Sequence, residues 1–160
     1  MFDKPQAEHE ILGKLVGSWK AVTECKLPDG STEKSEGQLT FRSLGGLWVI
    51  GEGVFIQGPG GEDVVSQFTI GYDASRKLYV GSYLSSCMTK LWIYDGEYDA
   101  AGKKLVLTAQ GPRFDGKPGE TLYHDVVEYV SDDHFILWSE VQGEDGSWTK
   151  FMTCDHFRVK

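Results

Sequence analysis

The hydrophobic positions of this chain follow two rhythms, and the longer one occupies only its start. From Ala7 the apolar residues Ile11, Leu12, Leu15 and Val16 recur three and four apart, with Asp3 and Pro5 ahead of them, which predicts a short helix stopping near Gly17. Beyond it lie β-branched and aromatic runs cut at near-regular intervals by turn chemistry. Pro28-Asp29-Gly30, Gly45-Gly46, Gly58-Pro59-Gly60-Gly61, Asp73-Ala74-Ser75, Asp99 to Gly102, Asp115 to Gly119, Ser131-Asp132-Asp133 and Gly143 to Gly146 supply residues that accept positive φ or preset a turn. The intervening strands are predicted at Ser18–Leu27, Thr32–Leu44, Leu47–Gln57, Asp63–Tyr72, Lys77–Ser85, Lys90–Tyr98, Lys103–Gly111, Glu120–Val130, His134–Gln142 and Trp148–Val159. Every connector is short, so successive strands pair antiparallel and no parallel crossover fits. A meander of about ten long strands twists too strongly to stay open, and closure removes its edges. The predicted fold is all-β: a closed antiparallel up-and-down barrel of about ten strands with a short N-terminal helix.

A length of 160 residues fits one domain, expected over residues 1–160. Asp and Glu number 24 against 16 Lys and Arg, a net charge of −8, which argues against a nucleic-acid or anionic-membrane partner needing a basic stripe. The first residues lack the basic and apolar regions of a secretory signal, and no window approaches the length of a membrane span, so a cytoplasmic location is expected. Cys25, Cys87 and Cys154 are odd in number and widely spaced, which predicts free and mostly buried thiols rather than a disulfide framework or a zinc site.

Gly17-Ser18-Trp19 directly follows the predicted helix, and Arg158 stands at the end of the last strand. Both features resemble the calycins, the lipocalins and fatty-acid-binding proteins. The resemblance implies a Trp19 lying across the closed end of the barrel with Arg158 packed over it. The tracts Leu12 to Trp19, Arg42 to Gly53, Ile70-Gly71-Tyr72-Asp73, Tyr79 to Tyr83, Leu91 to Gly96 and Phe151-Met152-Thr153 are similar, over nearly the whole chain, to the bacterial family catalogued as domain of unknown function 1579. That likeness implies the fold and carries no chemistry onto particular residues. A more distant similarity is to the nitrobindins, ten-stranded barrels that hold haem through a His. Here Gly17-Ser18-Trp19 is not extended by that family's further alternating glycines.

Period-two alternation selects the lumenal side. In the first strand Trp19, Ala21, Thr23, Cys25 and Leu27 oppose Lys20, Glu24 and Lys26, and in the second Leu39 and Phe41 oppose a charged set. From Leu47 to Ile56 both faces are apolar, which implies an outer wall covered by the helix or by a second copy in a homo-oligomer. Glu52 shares a face with Trp48, Ile50 and Val54, and is read as a structural partner of Arg42 or Lys90 or as a ligand-orienting acid. His124, on the face of Leu122 and Val126, is read as a hydrogen-bonded core side chain, a general base or a haem ligand. Met152, Cys154 and His156 share one face and could offer soft and imidazole ligands, without a second pair to complete a metal set. His9 and His134 are expected in solvent. Ser85-Ser86-Cys87 lacks the context of a nucleophile elbow.

These observations predict a lumen that binds a small apolar or amphipathic molecule, without a cofactor or metal. Glu52, Tyr83, His124 and Glu140 are the expected orienting groups, and Trp92, Trp138 and Met152 the expected walls. Three alternatives stay open: an enzyme using His124 with Glu140 or Glu52 in the same cavity, a haem barrel ligated by His124 or His156, and an oligomeric interaction module with a packed lumen.

Overall fold

The computed structural model describes residues 2–56 and 61–160. The Gly58-Pro59-Gly60-Gly61 turn and the end of the third predicted strand at Gln57 fall largely outside them. The elements are α1 (Ala7–Gly13), β1 (Gly17–Lys26), β2 (Thr32–Leu44), β3 (Trp48–Ile56), β4 (Val64–Asp73), β5 (Leu78–Ser85), β6 (Trp92–Asp99), β7 (Lys104–Pro112), β8 (Glu120–Ser131), β9 (His134–Gln142) and β10 (Trp148–Arg158). Each strand pairs antiparallel with its sequence neighbours, and β1 pairs with β10 from Trp19 opposite Arg158 to Cys25 opposite Met152. The ten strands therefore form a closed barrel.

The β1 to β10 seam is fastened at one end by the Arg158 guanidinium. It lies 4.2 Å from the Trp19 ring centroid and donates to the carbonyls of Val16 at 2.8 Å, Lys14 at 3.1 Å and Asp132 at 2.9 and 3.0 Å. Gly17 sits at φ +133°, where a side chain would collide with that guanidinium, so glycine is required there on both counts. Trp19 is 1% exposed and donates its indole N–H to the Leu15 carbonyl at 2.8 Å. Trp19 and Arg158 thus meet at the closed end, as the calycin resemblance implies.

Helix α1 plugs this end. Leu12 of the helix and Leu15 just after it enter the core beside Trp19 and Phe135, and the Tyr129 hydroxyl donates to the Ile11 carbonyl at 3.0 Å, satisfying an acceptor that a short helix leaves unpaired. The Tyr79 hydroxyl donates to the Glu8 carbonyl at 2.8 Å, tying the first turn of the helix to β5. His9 is not in solvent as expected: its Nδ1 accepts the Gln6 backbone N–H at 2.9 Å, and its ring packs edge-on against Tyr72. The helix closes the barrel end and leaves the outer wall bare, so Val54, Ile56, Val65, Leu84, Leu91 and Ile93 stay exposed in the single chain. No helix of the described residues is long and apolar enough to cross a membrane.

Trp19→Ala should lower unfolding free energy by about 3–5 kcal/mol, the cost of truncating a fully buried aromatic. Urea denaturation followed by circular dichroism measures it, and a loss below about 1 kcal/mol is incompatible with Trp19 as a core anchor.

Candidate functional site

Above the helix the barrel encloses a cavity of about 360 Å³. Ten strands set a circumference too wide for inward side chains to fill. Glycines at inward positions admit their neighbours' side chains: the Phe41 ring lies against Gly51 and Leu39 against Gly53. The walls are apolar, with Phe68, Val127, Leu137 and Phe151 among them.

Trp92, Tyr83 and Met152 line this cavity. The Trp92 indole lies over Gly111, where any β-carbon would strike its ring, stands edge-on to Tyr123 at 5.0 Å and donates to the Met88 sulfur at 3.1 Å. Met152 reaches the lumen beside Phe151 through a β-bulge between Lys150 and Met152, where the register against β9 shifts. The bulge turns two consecutive side chains inward and sends Lys150 outside, 3.9 Å from the Trp138 ring centroid.

Glu52, His124, Trp138 and Glu140 lie on the outer wall instead, and their expected lumenal placement is corrected. In β3 the inward set is Val49, Gly51, Gly53 and Phe55, which leaves Glu52 exposed between Thr40 and Gln67. Lys90, one of its two expected partners, pairs with Glu120 at 3.8 Å. His124 and Glu140 do meet, Nδ1 to Oε1 at 2.9 Å, but on the outside, with the imidazole stacked 3.7 Å from Trp148. An acid-base pair exists there without the cavity that the enzyme alternative gave it. Trp138 donates to Glu128 at 3.2 Å and is flanked by Lys104 and Lys150.

The lumen holds a polar cluster that alternation did not single out. The Asp125 carboxylate accepts the Ser139 hydroxyl on Oδ1 and the Tyr94 hydroxyl on Oδ2. It is enclosed by the wall, and burial pushes its pKa above the usual carboxylate range even against these two donors. Burial next to that carboxylate pushes Tyr94 up as well, so its hydroxyl stays a donor, and Tyr83 is raised by burial too. A sequence signal existed: Tyr123, Asp125, Val127 and Tyr129 alternate as one set, richer in large apolar bodies than the set containing His124.

On β10, the strand next to β9, Cys154 is buried and receives the Thr23 hydroxyl at 3.0 Å, and burial pushes its thiol up to about 12. Cys25 is half-buried and Cys87 exposed, all three thiols being free. His156 is 1% exposed and stacks on Phe135 at 4.1 Å. Burial lowers its pKa to about 4, so the ring is neutral. Its Nδ1–H donates to the Cys154 carbonyl at 3.1 Å, and Nε2 faces the Cys154 thiol at 3.7 Å. Neither ring nitrogen stands free toward the cavity, and His124 points away from it, so these residues do not fit a His-ligated haem. No group of three or more His, Cys, Asp or Glu among the described residues is arranged to hold a metal ion.

The family model for the protein of unknown function DUF1579 matches residues 4–158. The chain belongs to this family. No curated protein matches it in sequence. Among solved structures, the S-type phycobiliprotein lyase of Guillardia theta is similar with a TM-score of 0.65 at 10% identity, covering 97% of this chain and 94% of that one. Rv2717c of M. tuberculosis is similar with a TM-score of 0.66 at 12% identity, covering 98% of this chain and 100% of that one. At such identities these two likenesses show a shared barrel fold.

A neutral buried His156 makes stability pH-dependent. The unfolded chain protonates this ring near its ordinary value of about 6.5, while the folded chain resists until about 4, so its contribution is full above the first value and lost as pH falls to the second. The stability advantage of wild type over His156→Gln should therefore shrink by up to about 3 kcal/mol between pH 7 and pH 4. Urea titrations of both proteins across that range measure it. A constant difference contradicts a histidine held neutral by burial.

Proposed function

We propose that this protein binds a small, predominantly apolar molecule inside its barrel, with Trp92 and Met152 as walls and Tyr83 and the Tyr94–Asp125–Ser139 cluster as orienting groups. The observation that carries this reading is the lumen itself. It has about 360 Å³ of unfilled space, largely apolar walls, and among its polar groups a hydrogen-bonded carboxylate cluster. Packed interiors tolerate few voids larger than a water molecule, and burying ligand surface in such a space is favourable by about 25 cal/mol per Å² before association costs. Volume and composition match those of small-molecule sites, which are apolar with a small number of placed hydrogen-bonding groups. The alternative of a packed interaction module has lost its premise of a filled lumen. The DUF1579 family supplies no activity to weigh against this reading.

Nile red, an uncharged dye that brightens in apolar surroundings, tests it. Titration into the protein should give saturable enhancement, and Trp92→Ala should weaken binding by about tenfold, as loss of a large aromatic wall does. His124→Ala, on the outer wall, should leave it unchanged. Absence of saturable binding, or equal loss in both variants, overturns the proposal.

A further inference from the structure

The charge inside the barrel narrows the kind of molecule it suits. Among the described residues lining the cavity there is no Lys or Arg, and Asp125 is the one carboxylate. The other titratable groups facing the space are Tyr83, Tyr94, Tyr123, Cys25, Cys87, Cys154 and His156. Burial raises the Tyr83, Tyr94 and Tyr123 hydroxyls and the Cys25 and Cys154 thiols, which keeps them neutral at pH 7, and it lowers His156, which is neutral as well. His124, next to Asp125 in sequence, points outward and is engaged by Glu140. The lumen therefore contains one acid and no base to balance it.

A buried carboxylate with no opposite charge is costly, and proteins compensate such groups with a partner or a proton. Two hydroxyl donors reach Asp125, one on each oxygen, and each oxygen keeps a further lone pair. The strands also part beside it. The β6 to β7 ladder runs only from Asp95 opposite Thr108 to Asp99 opposite Lys104, which leaves Trp92, Ile93 and Tyr94 without ladder partners on β7. Tyr94 borders both the lumen and an outside groove that follows this parting, so the acid lies near a second approach from solvent.

Resting on the lumenal binding reading, we propose that the occupant is an amphiphile with a cationic nitrogen head, for which Asp125 is counter-ion and hydrogen-bond acceptor, and that carboxylate-headed amphiphiles are rejected. An ammonium group brings three donors and a positive charge to an acceptor that lacks both, in a space of low dielectric where charge-assisted hydrogen bonds are strong. A carboxylate head would bring a second negative charge beside the first, with no cation to separate them.

Competition against bound Nile red with three ligands of one chain length, decylammonium, 1-decanol and decanoate, tests the proposal. Decylammonium should displace the dye at about tenfold lower concentration than decanol, the gain expected when a neutral hydrogen bond becomes an ionic one, and decanoate should be the weakest of the three. This order is read on the unaltered protein and needs no variant to fold. Asp125→Asn should bring decylammonium to the level of decanol, so that the ratio between the two on that variant falls to about one. Because burial raises the Asp125 pKa and the amine keeps its proton until about 10, the ammonium preference should be full in the alkaline range and fade as pH falls and Asp125 takes up a proton. Decanoate binding as tightly as decylammonium, or an ammonium preference that survives in Asp125→Asn, overturns the proposal while leaving lumenal binding intact. Failure of Nile red to bind at all contradicts lumenal binding itself.

Discussion

Pairing of the first strand with the last is the constraint on which the rest of this structure depends. It turns a ten-strand meander into a barrel, removes both free edges, and sets a circumference that inward side chains do not fill. Its weak point is the end of the seam, where two chain segments far apart in sequence must stay together. There Arg158 binds the carbonyls of three residues before and beside the seam and lies over Trp19, while the indole holds the exit of α1. Helix, seam and core are thereby joined at this end, and the cavity begins above Leu15 and Phe135.

That space has an uneven chemistry because Asp125, the one carboxylate among the described lining residues, joins Tyr94 of β6 and Ser139 of β9, while Cys154 and His156 of β10 pair with each other and with Thr23 of β1. The second group is internally satisfied, each polar atom meeting a partner from its own wall. The first retains acceptor capacity directed at the cavity. A ligand entering this barrel therefore meets a largely apolar surface and a single carboxylate among the described lining residues, which is why orientation is assigned to the Asp125 side.

The architecture was legible because turn chemistry and strand length survive without tertiary information, and because Gly17, Trp19 and Arg158 announce the closed end. The lumenal placement of Tyr83, Trp92 and Met152 was also legible. The misplacement of Glu52, His124, Trp138 and Glu140 has one physical origin. Alternation states which residues share a face and becomes silent on which face is inside when both are apolar. On β8 the outward Val126 is 1% exposed, paired across to Trp138 and Val106, while Lys104 and Lys150 lie over the Trp138 ring. Side chains of the barrel itself cover this part of the outer wall, so its pattern reads like a core. The β10 bulge adds a local change of parity that no periodicity can anticipate.

Asp125 was hidden for the same reason, as one polar residue within an apolar set whose partners, Tyr94 and Ser139, come from strands remote in sequence. The central claim, that this wall and not the outer one receives the ligand, is tested most directly by nuclear magnetic resonance of the labelled protein during Nile red titration. The account predicts the largest perturbations at Tyr83, Trp92, Asp125, Ser139 and Met152, with His124, Trp138 and Glu140 little changed. Perturbations concentrated on the His124, Trp138 and Glu140 face, with the lumenal residues silent, would contradict it.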